Sequence, residues 1–339
     1  GIMVSNQHQG KHPKILVTGA TGHIGNVLVR ELLSRGYPVR ALVLPGESLE
    51  PLQGADVEII EGNVLDPDSV SRAMQGVEGV FHLAGIISIM PGDDEKVRRV
   101  NVDGTKNVIR AAREAGVKRL LHTSSIHALK RVEGVIMDES LPFDPDNSAG
   151  VYDRTKAEAS LAVLESVKDG LDAVIVCPTG VVGPDDYLGS EIGNLILGWL
   201  KAGVSLLIDG AYDFVDVRDV AVGMILAYEN GATGAVYILG GEQIQLNRMQ
   251  QMVRDIAGLK ARVLMIPARL ALFFANFTPL FYRSTRTKPK FTRYSLVTVM
   301  GNSHISSERA KRELGYQPRG IQESLTDTVR WWQVWRRRK

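Results

Sequence analysis

The chain has 339 residues, of which 44% are hydrophobic and 23% charged, and its 40 Lys and Arg against 38 Asp and Glu leave a net charge of +2. That balance excludes a field-driven affinity for nucleic acid or a membrane surface, and the length suits one large α/β domain with a smaller part folded onto it. The single cysteine, Cys177, excludes an internal disulfide, and the seven histidines come with no HExxH and no CxxC string, so no metal site is expected.

Residues 1–13 read as a disordered lead-in with no apolar core, and so not as a secretory signal. KILVTG (14–19) is a short apolar run ending in glycine, as a buried parallel strand would. Ile24, Leu28 and Leu32 follow at helical spacing until Gly36. Strand patterns recur at 38–44, 57–60, 79–85, 118–125 and 172–178, with helical patterns at 67–76, 94–115 and 152–168 between them. Strands alternating with helices predict βαβ units and a parallel sheet covered on both faces. After Pro178 the rhythm loosens. Strand signals remain at 205–208 and 235–241, so later strands from about 204–241 are assigned to the same domain as 14–178. Residues 179–203 and 242–339 are expected to form a smaller, interleaved substrate-binding part. Within it, 263–282 reads as a helix covering a pocket, because Arg269 and two prolines disqualify it as a membrane span.

The first strand runs into GATGHIG, with Gly19, Gly22 and Gly25 spaced G-x-x-G-x-x-G. A strand, a glycine turn and a helix N-terminus form an anion site of unpaired N–H groups and a positive dipole end. At the first strand of a βαβ series this is the context of dinucleotide binding and of a Rossmann doubly wound sheet.

TGATGHIG, HLAG, NVDGTKN, HTSS, YDRTK and CPTGVVGP follow one another in an order and spacing that resembles the extended short-chain dehydrogenase/reductase family, within the NAD-dependent epimerase/dehydratase superfamily. FVDVRDVA and SSERAKRELGYQP make the chain most similar to the dihydroflavonol-4-reductase-like branch. The resemblance implies an NAD(P)-dependent oxidoreductase with a nicotinamide dinucleotide on the N-terminal sheet. Its contacts would come from Gly19, Thr21, Gly22, His23, Ile24, Gly25, Asn63, Val64, Leu83, Ala84, Gly85, Thr123, Tyr152, Lys156, Pro178, Gly180 and Val181.

NAD-using members carry an acid at the end of the second strand, and NADP-using members often an arginine next to it. Here those positions are Val43 and Leu44. Arg40 is a candidate for a 2′-phosphate and equally a solvent-facing strand residue. Loss of the acid removes a repulsion, so NADP is favoured over NAD. Asn63 stands where the family carries aspartate, and its amide still hydrogen-bonds an adenine edge.

Tyr152 and Lys156, four residues apart on a helix, share a face. A nearby ammonium lowers a phenol's pKa from its ordinary ~10, which fits Tyr152 for acid–base work. Ser125, ending the fifth strand, is the candidate to hold a substrate carbonyl, with Ser124 the alternative by one residue. Asn101 resembles the family's relay asparagine and is equally a helix cap. His82, His122 and His127 read as packed or surface histidines, and Cys177 as an inert core residue. Sugar-nucleotide enzymes of this kind often place a diphosphate-clamping arginine where this chain has Tyr212. That, with Phe273, Phe274, Phe277, Phe281 and Tyr282, favours a small-molecule carbonyl/alcohol substrate. A nucleotide-sugar epimerase or dehydratase is the alternative, and a non-catalytic dinucleotide sensor a third reading. The tail WWQVWRRRK reads as a docked helix with a solvated charge run, so membrane contact is not expected. A cytoplasmic location is expected, and a homodimer is an assembly open to the chain.

Overall fold

The computed structural model describes residues 12–86, 92–277 and 293–338. Strand β1 (Ile15–Thr18) leads through the glycine turn into helix α1 (His23–Ser34), followed by β2 (Val39–Val43) and β3 (Glu58–Glu61). Helix α2 (Pro67–Met74) starts on a proline and is capped by Asp66, whose side chain accepts from Asp68 N. Then come β4 (Gly79–His82), α3 (Asp94–Arg98), α4 (Gly104–Glu114), β5 (Arg119–Thr123), α5 (Val151–Lys168) and β6 (Ala173–Pro178). With β10 (Val236–Leu239) these make a seven-stranded, all-parallel sheet in the order β10-β6-β5-β4-β1-β2-β3. The chain works outward from β1 to β3, then returns to the other side of β1 through β4. The order therefore reverses between β1 and β4, where open α/β sheets take their ligands.

Alternation along each strand builds the two faces. Ile15, Val17, Val39, Ala41 and Val43 pack with α1 and α7 (Val217–Asn230), while Leu16, Leu42, Val80 and Leu120 pack with α2, α4 and α5. A parallel sheet covered this way has near-continuous apolar strands, as β1 does with all four residues buried.

Of the strands expected between 204 and 241, only β10 joins this sheet. Strand β7 (Gly180–Val182) leaves β6 after one residue and pairs with β9 (Ala211–Asp216), which pairs in turn with β11 (Glu242–Gln245). Strand β8 (Ser205–Leu207) pairs with β12 (Val263–Met265). The reason lies in what these strands bury. Val182, Leu207, Tyr212, Phe214 and Ile244 form a separate core with α6 (Glu191–Lys201), α8 (Leu246–Ile256) and the final helix, Ile321–Arg338.

The helix expected at 94–115 is broken by a π turn at Arg99–Asp103. The segment 263–282 is not one helix: β12 ends before Pro267, and α9 (Ala268–Ala275) follows. Phe281, Tyr282 and the lead-in residues 1–11 lie outside the described residues. The helix Glu308–Leu314 ends at Gly315, left-handed at φ 71°. The final helix buries Leu325, Val329 and Trp332, and Tyr187 packs edge-on against Trp331 and Trp335, which docks the tryptophan-rich tail. Among the described residues no helix is long and apolar enough to cross a membrane.

Candidate active site

The glycine turn is shaped by close backbone approaches. Gly19 has φ 68°, and a Cβ there would stand 2.8 Å from Ala84 N and Leu83 C, where β4 ends. A Cβ on Gly25 would overlap the Gly19 carbonyl oxygen, so only glycine lets α1 begin this close to β1. Gly22 is the N-cap and supplies no side-chain cap, which leaves the first turn of α1 to an outside anion. Thr18 Oγ1 accepts from Leu83 N and Ala84 N, both at 3.0 Å, and meets His82 Nδ1 at 2.7 Å, locking the ends of β1 and β4 side by side. The His23 ring meets the Pro184 carbonyl at 2.8 Å, and Asn26 donates to Asp185 O at 2.9 Å, which ties the loop after β7 to the turn. Ile24, beside His23, packs against the α1 face of the core.

At the carboxyl ends of β2 and β3 the predicted contacts divide. Asn63 Oδ1 accepts from Leu65 N at 2.9 Å, and Val64 is buried against Gly104. Arg40 is turned the other way: it donates to Ala73 O (2.8 Å) and Gln75 O (2.6 Å) at the end of α2 and pairs with Glu58. Its guanidinium is therefore not presented to the glycine turn, because the open carbonyls of α2 hold it. Glu47, which the sequence reading passed over, reaches that corner instead. One oxygen accepts from Thr21 Oγ1 at 2.5 Å and the other from Leu44 N at 3.0 Å.

Over the carboxyl end of β5 three side chains converge. Ser125 faces Tyr152 closely enough to favour its phenolate, and Ser125 Oγ accepts from His127 N at 3.1 Å, capping the short turn Ile126–Ala128. Ser124, one residue earlier, is taken by Ser160, whose hydroxyl donates to it at 2.7 Å on the buried side of α5. Lys156, one turn after Tyr152, is buried and donates from Nζ to Thr123 O at 2.7 Å. Thr123 Oγ1 is itself buried without a hydrogen-bond partner. Gly85, just past the end of β4, is closely approached: a Cβ there would stand 3.1 Å from Asn101 Oδ1 and 3.8 Å from Lys156 Nζ. Asn101 sits in the π turn and braces this corner: it accepts from Ile86 N (2.8 Å) and donates to Ile86 O and Thr155 Oγ1, both at 3.1 Å.

Burial dominates the electrostatics. Desolvation pushes the Tyr152 phenol up to about 12, opposed by Ser125. Desolvation brings Lys156 down to about 8. The expectation that the ammonium draws the phenol down is not met here, because Nζ is directed at the Thr123 carbonyl. His82 and His127 are each brought down to about 3, chiefly by burial, and so are neutral at pH 7.

Beside Tyr152 lies a cavity of about 200 Å³ whose wall includes His127, Arg131, Asn147, Asp153, Tyr212 and Asn302. The Tyr212 hydroxyl bonds to His127 Nε2, the two rings are stacked at 5.7 Å, and Tyr152 meets the His127 ring edge-on at 6.4 Å. Sequence reasoning placed His127 among packing residues. Its signal was position, two residues past Ser125 on the turn that serine caps. Pro178 ends β6, while Gly180 and Val181 continue into β7; a Cβ on Gly180 would strike the Tyr212 ring at 2.6 Å, so this glycine serves the cavity wall.

A parallel sheet reversing at β1/β4, with a glycine turn opening onto that point, defines a dinucleotide-binding protein of the Rossmann type. The chain belongs to the NAD dependent epimerase/dehydratase family, whose model matches residues 15–240. It is similar to sterol demethylase protein B of Methylococcus capsulatus, 36% identical over 318 residues, which cover 93% of this chain and 97% of that one. A putative dihydroflavonol 4-reductase of Synechocystis is 34% identical over 94% of both chains. Among solved structures, that of gox2253 matches with a TM-score of 0.84 at 34% identity, covering 95% of this chain and 98% of the other. The fold is shared with DesIV, a dTDP-glucose 4,6-dehydratase from Streptomyces venezuelae with NAD bound, at a TM-score of 0.78 and 22% identity.

Proposed function

We propose that the protein is an NAD(P)-dependent oxidoreductase acting on the carbonyl or alcohol of an apolar, ring-containing small molecule, with Ser125, Tyr152 and Lys156 as its catalytic residues. The observation that carries this reading is the convergence of those three side chains at the carboxyl end of β5, with only β4 between it and the strand that enters the glycine turn. The residues fit a nicotinamide dinucleotide. The turn is so tight that a Cβ at Gly19 or Gly25 would strike backbone, the capless Gly22 leaves the first N–H groups of α1 open to a diphosphate, and Thr123 presents an orphaned hydroxyl beside Lys156. A dinucleotide bound there supplies or accepts the hydride.

The chain's own groups do the rest. Tyr152 gives a proton to, or takes one from, the substrate oxygen, and Ser125 donates a hydrogen bond to the charge developing on that oxygen. Lys156 holds its positive charge beneath the site and offers donors to the cofactor's ribose. Tyr212 and His127 line the adjoining cavity, and both are uncharged at neutral pH, since burial raises the one and lowers the other. This uncharged pair suits an apolar ring, and a tyrosine cannot clamp a nucleotide diphosphate with two parallel hydrogen bonds, while Arg131, Glu133, Asp144 and Asp153 put charge on the other sides of the cavity. Related proteins named for sterol, dihydroflavonol and 3 beta-hydroxysteroid chemistry support the ring-containing class.

Replacing Tyr152 by Phe removes the proton donor and little else. Turnover of a ketone or sterol panel is expected to fall by about 10²-fold or more, while the rise in Tm on adding NAD or NADP persists. Near-normal turnover in that variant overturns the assignment. Nucleotide binding with no turnover in either form supports the sensor reading instead.

A further inference from the structure

The adenosine end of a dinucleotide whose pyrophosphate rests on α1 must run outward over β2, because the adenine half of such a site lies on the β1–β2–β3 side of the switch point. Its ribose then meets the corner between the glycine turn and the end of β2. The strand-end positions Val43 and Leu44 offer that corner no charge, but the loop behind them does. Pro45-Gly46 turns the chain back, with Gly46 at φ 79°, and Glu47 is delivered onto Thr21 Oγ1 and Leu44 N at 2.5 and 3.0 Å. Glu47 is half-buried in a loop whose neighbours Leu44, Pro45, Gly46 and Ser48 are exposed. The three arginines that precede it most closely are committed elsewhere, Arg35 to Glu31 at 2.9 Å. Arg40 is held by Ala73 O, Gln75 O and Glu58, and Arg30 by Asn26 and Gln53 O.

We propose that Glu47 is the residue that sets cofactor choice, and that it makes the site selective for NAD over NADP. Its carboxylate accepts from the adenosine 2′-hydroxyl of NAD. A 2′-phosphate in the same place would bring a second negative charge against it, with Arg30, Arg35 and Arg40 all held by other partners. Four residues past the strand end, Glu47 supplies the charge that Val43 lacks, which reverses the preference for NADP drawn from the sequence. The inference rests on the reading that the glycine turn holds a dinucleotide.

Equilibrium binding of oxidised NAD and NADP to the full chain tests it without any substrate. Wild type is expected to bind NAD at least about tenfold more tightly than NADP. Glu47→Gln keeps an amide oxygen to accept from Leu44 N and turns an NH2 that donates to Thr21 Oγ1, but removes the charge, and it should narrow that ratio about tenfold, chiefly by strengthening NADP. Raising the ionic strength on wild type should also narrow the ratio, since screening relieves a repulsion. A cationic 2′-phosphate site would respond in the opposite direction. NADP binding equal to or tighter than NAD, or an unchanged ratio in Glu47→Gln, overturns this inference and leaves the dinucleotide site standing. Failure to bind either nucleotide overturns both.

Discussion

Tyr152 and Lys156 show how a spacing can be right and the electrostatics still be decided elsewhere. Four residues on a helix put the two side chains on one face, as the sequence implies. The depth of that face was not legible, because it depends on what α5 packs against. Burial sets both titrations, raising the phenol to about 12 and lowering the ammonium to about 8. A lysine whose folded value lies below its unfolded value binds fewer protons in the fold between the two. The destabilisation is therefore fully present below pH 8 and is relieved as pH rises toward about 10.5. Wild type without cofactor should gain stability relative to Lys156→Met over pH 8–10, by on the order of 3 kcal/mol if the whole difference is expressed. Urea midpoints for both proteins across that range measure it, and parallel curves would show that burial of Nζ carries no such cost.

At the scale of elements, the glycine turn was the most legible feature of the chain, since its three glycines sit where a strand meets a helix. The structure adds the reason for each: a left-handed φ and a touching β4 at Gly19, an open cap at Gly22, and at Gly25 an approach that a methyl group would block. Gly25→Ala must push α1 away from β1. It is expected to cost about 2 kcal/mol or more in stability, as overpacking does, and to abolish the nucleotide-induced rise in Tm, readable by differential scanning calorimetry. An unperturbed Tm and intact binding would mean the turn is looser than its contacts imply. The π turn at Arg99–Asp103 and the departure of β7, β8 and β9 from the main sheet were not legible. Local pattern reports that a segment is extended or helical, but not which sheet edge is free to receive it or where a helix must widen to place Asn101.

Across the whole molecule, the C-terminal helices are fastened to the dinucleotide-binding part by a buried acid. Asp216, which caps α7, has a fully buried carboxylate that pairs with Arg218 at 2.8 Å and Arg319 at 3.8 Å, while Arg218 also reaches Asp327 and Arg319 also reaches Asp219. Its pKa is held below the usual carboxylate range: hydrogen bonds from Arg218 and Ser324 outweigh the opposing effect of burial. The sign is that of a depressed acid, so its stabilisation is present above about pH 4 and fades as pH falls through the folded value. Asp216→Ala leaves Arg218 and Arg319 without their shared partner and is expected to cost about 3–5 kcal/mol at pH 7, with the loss shrinking toward pH 3. Guanidinium titrations at the two pH values test this, and a loss that does not change with pH would remove the ion pair as its cause.

The sequence by itself determined the parallel sheet and the glycine turn and put forward the proposed Ser125, Tyr152 and Lys156 set, because each is written in short-range periodicity or in spacing within one β–α unit. Only the tertiary structure decided that Glu47 rather than Arg40 faces the turn, and that His127, Tyr212 and Asn302 share one cavity wall. Those residues lie 85 and 175 positions apart from first to second and from first to last. Such meetings are settled by which faces pack and which carbonyls capture a cation, and these are properties of the folded chain rather than of any stretch of it.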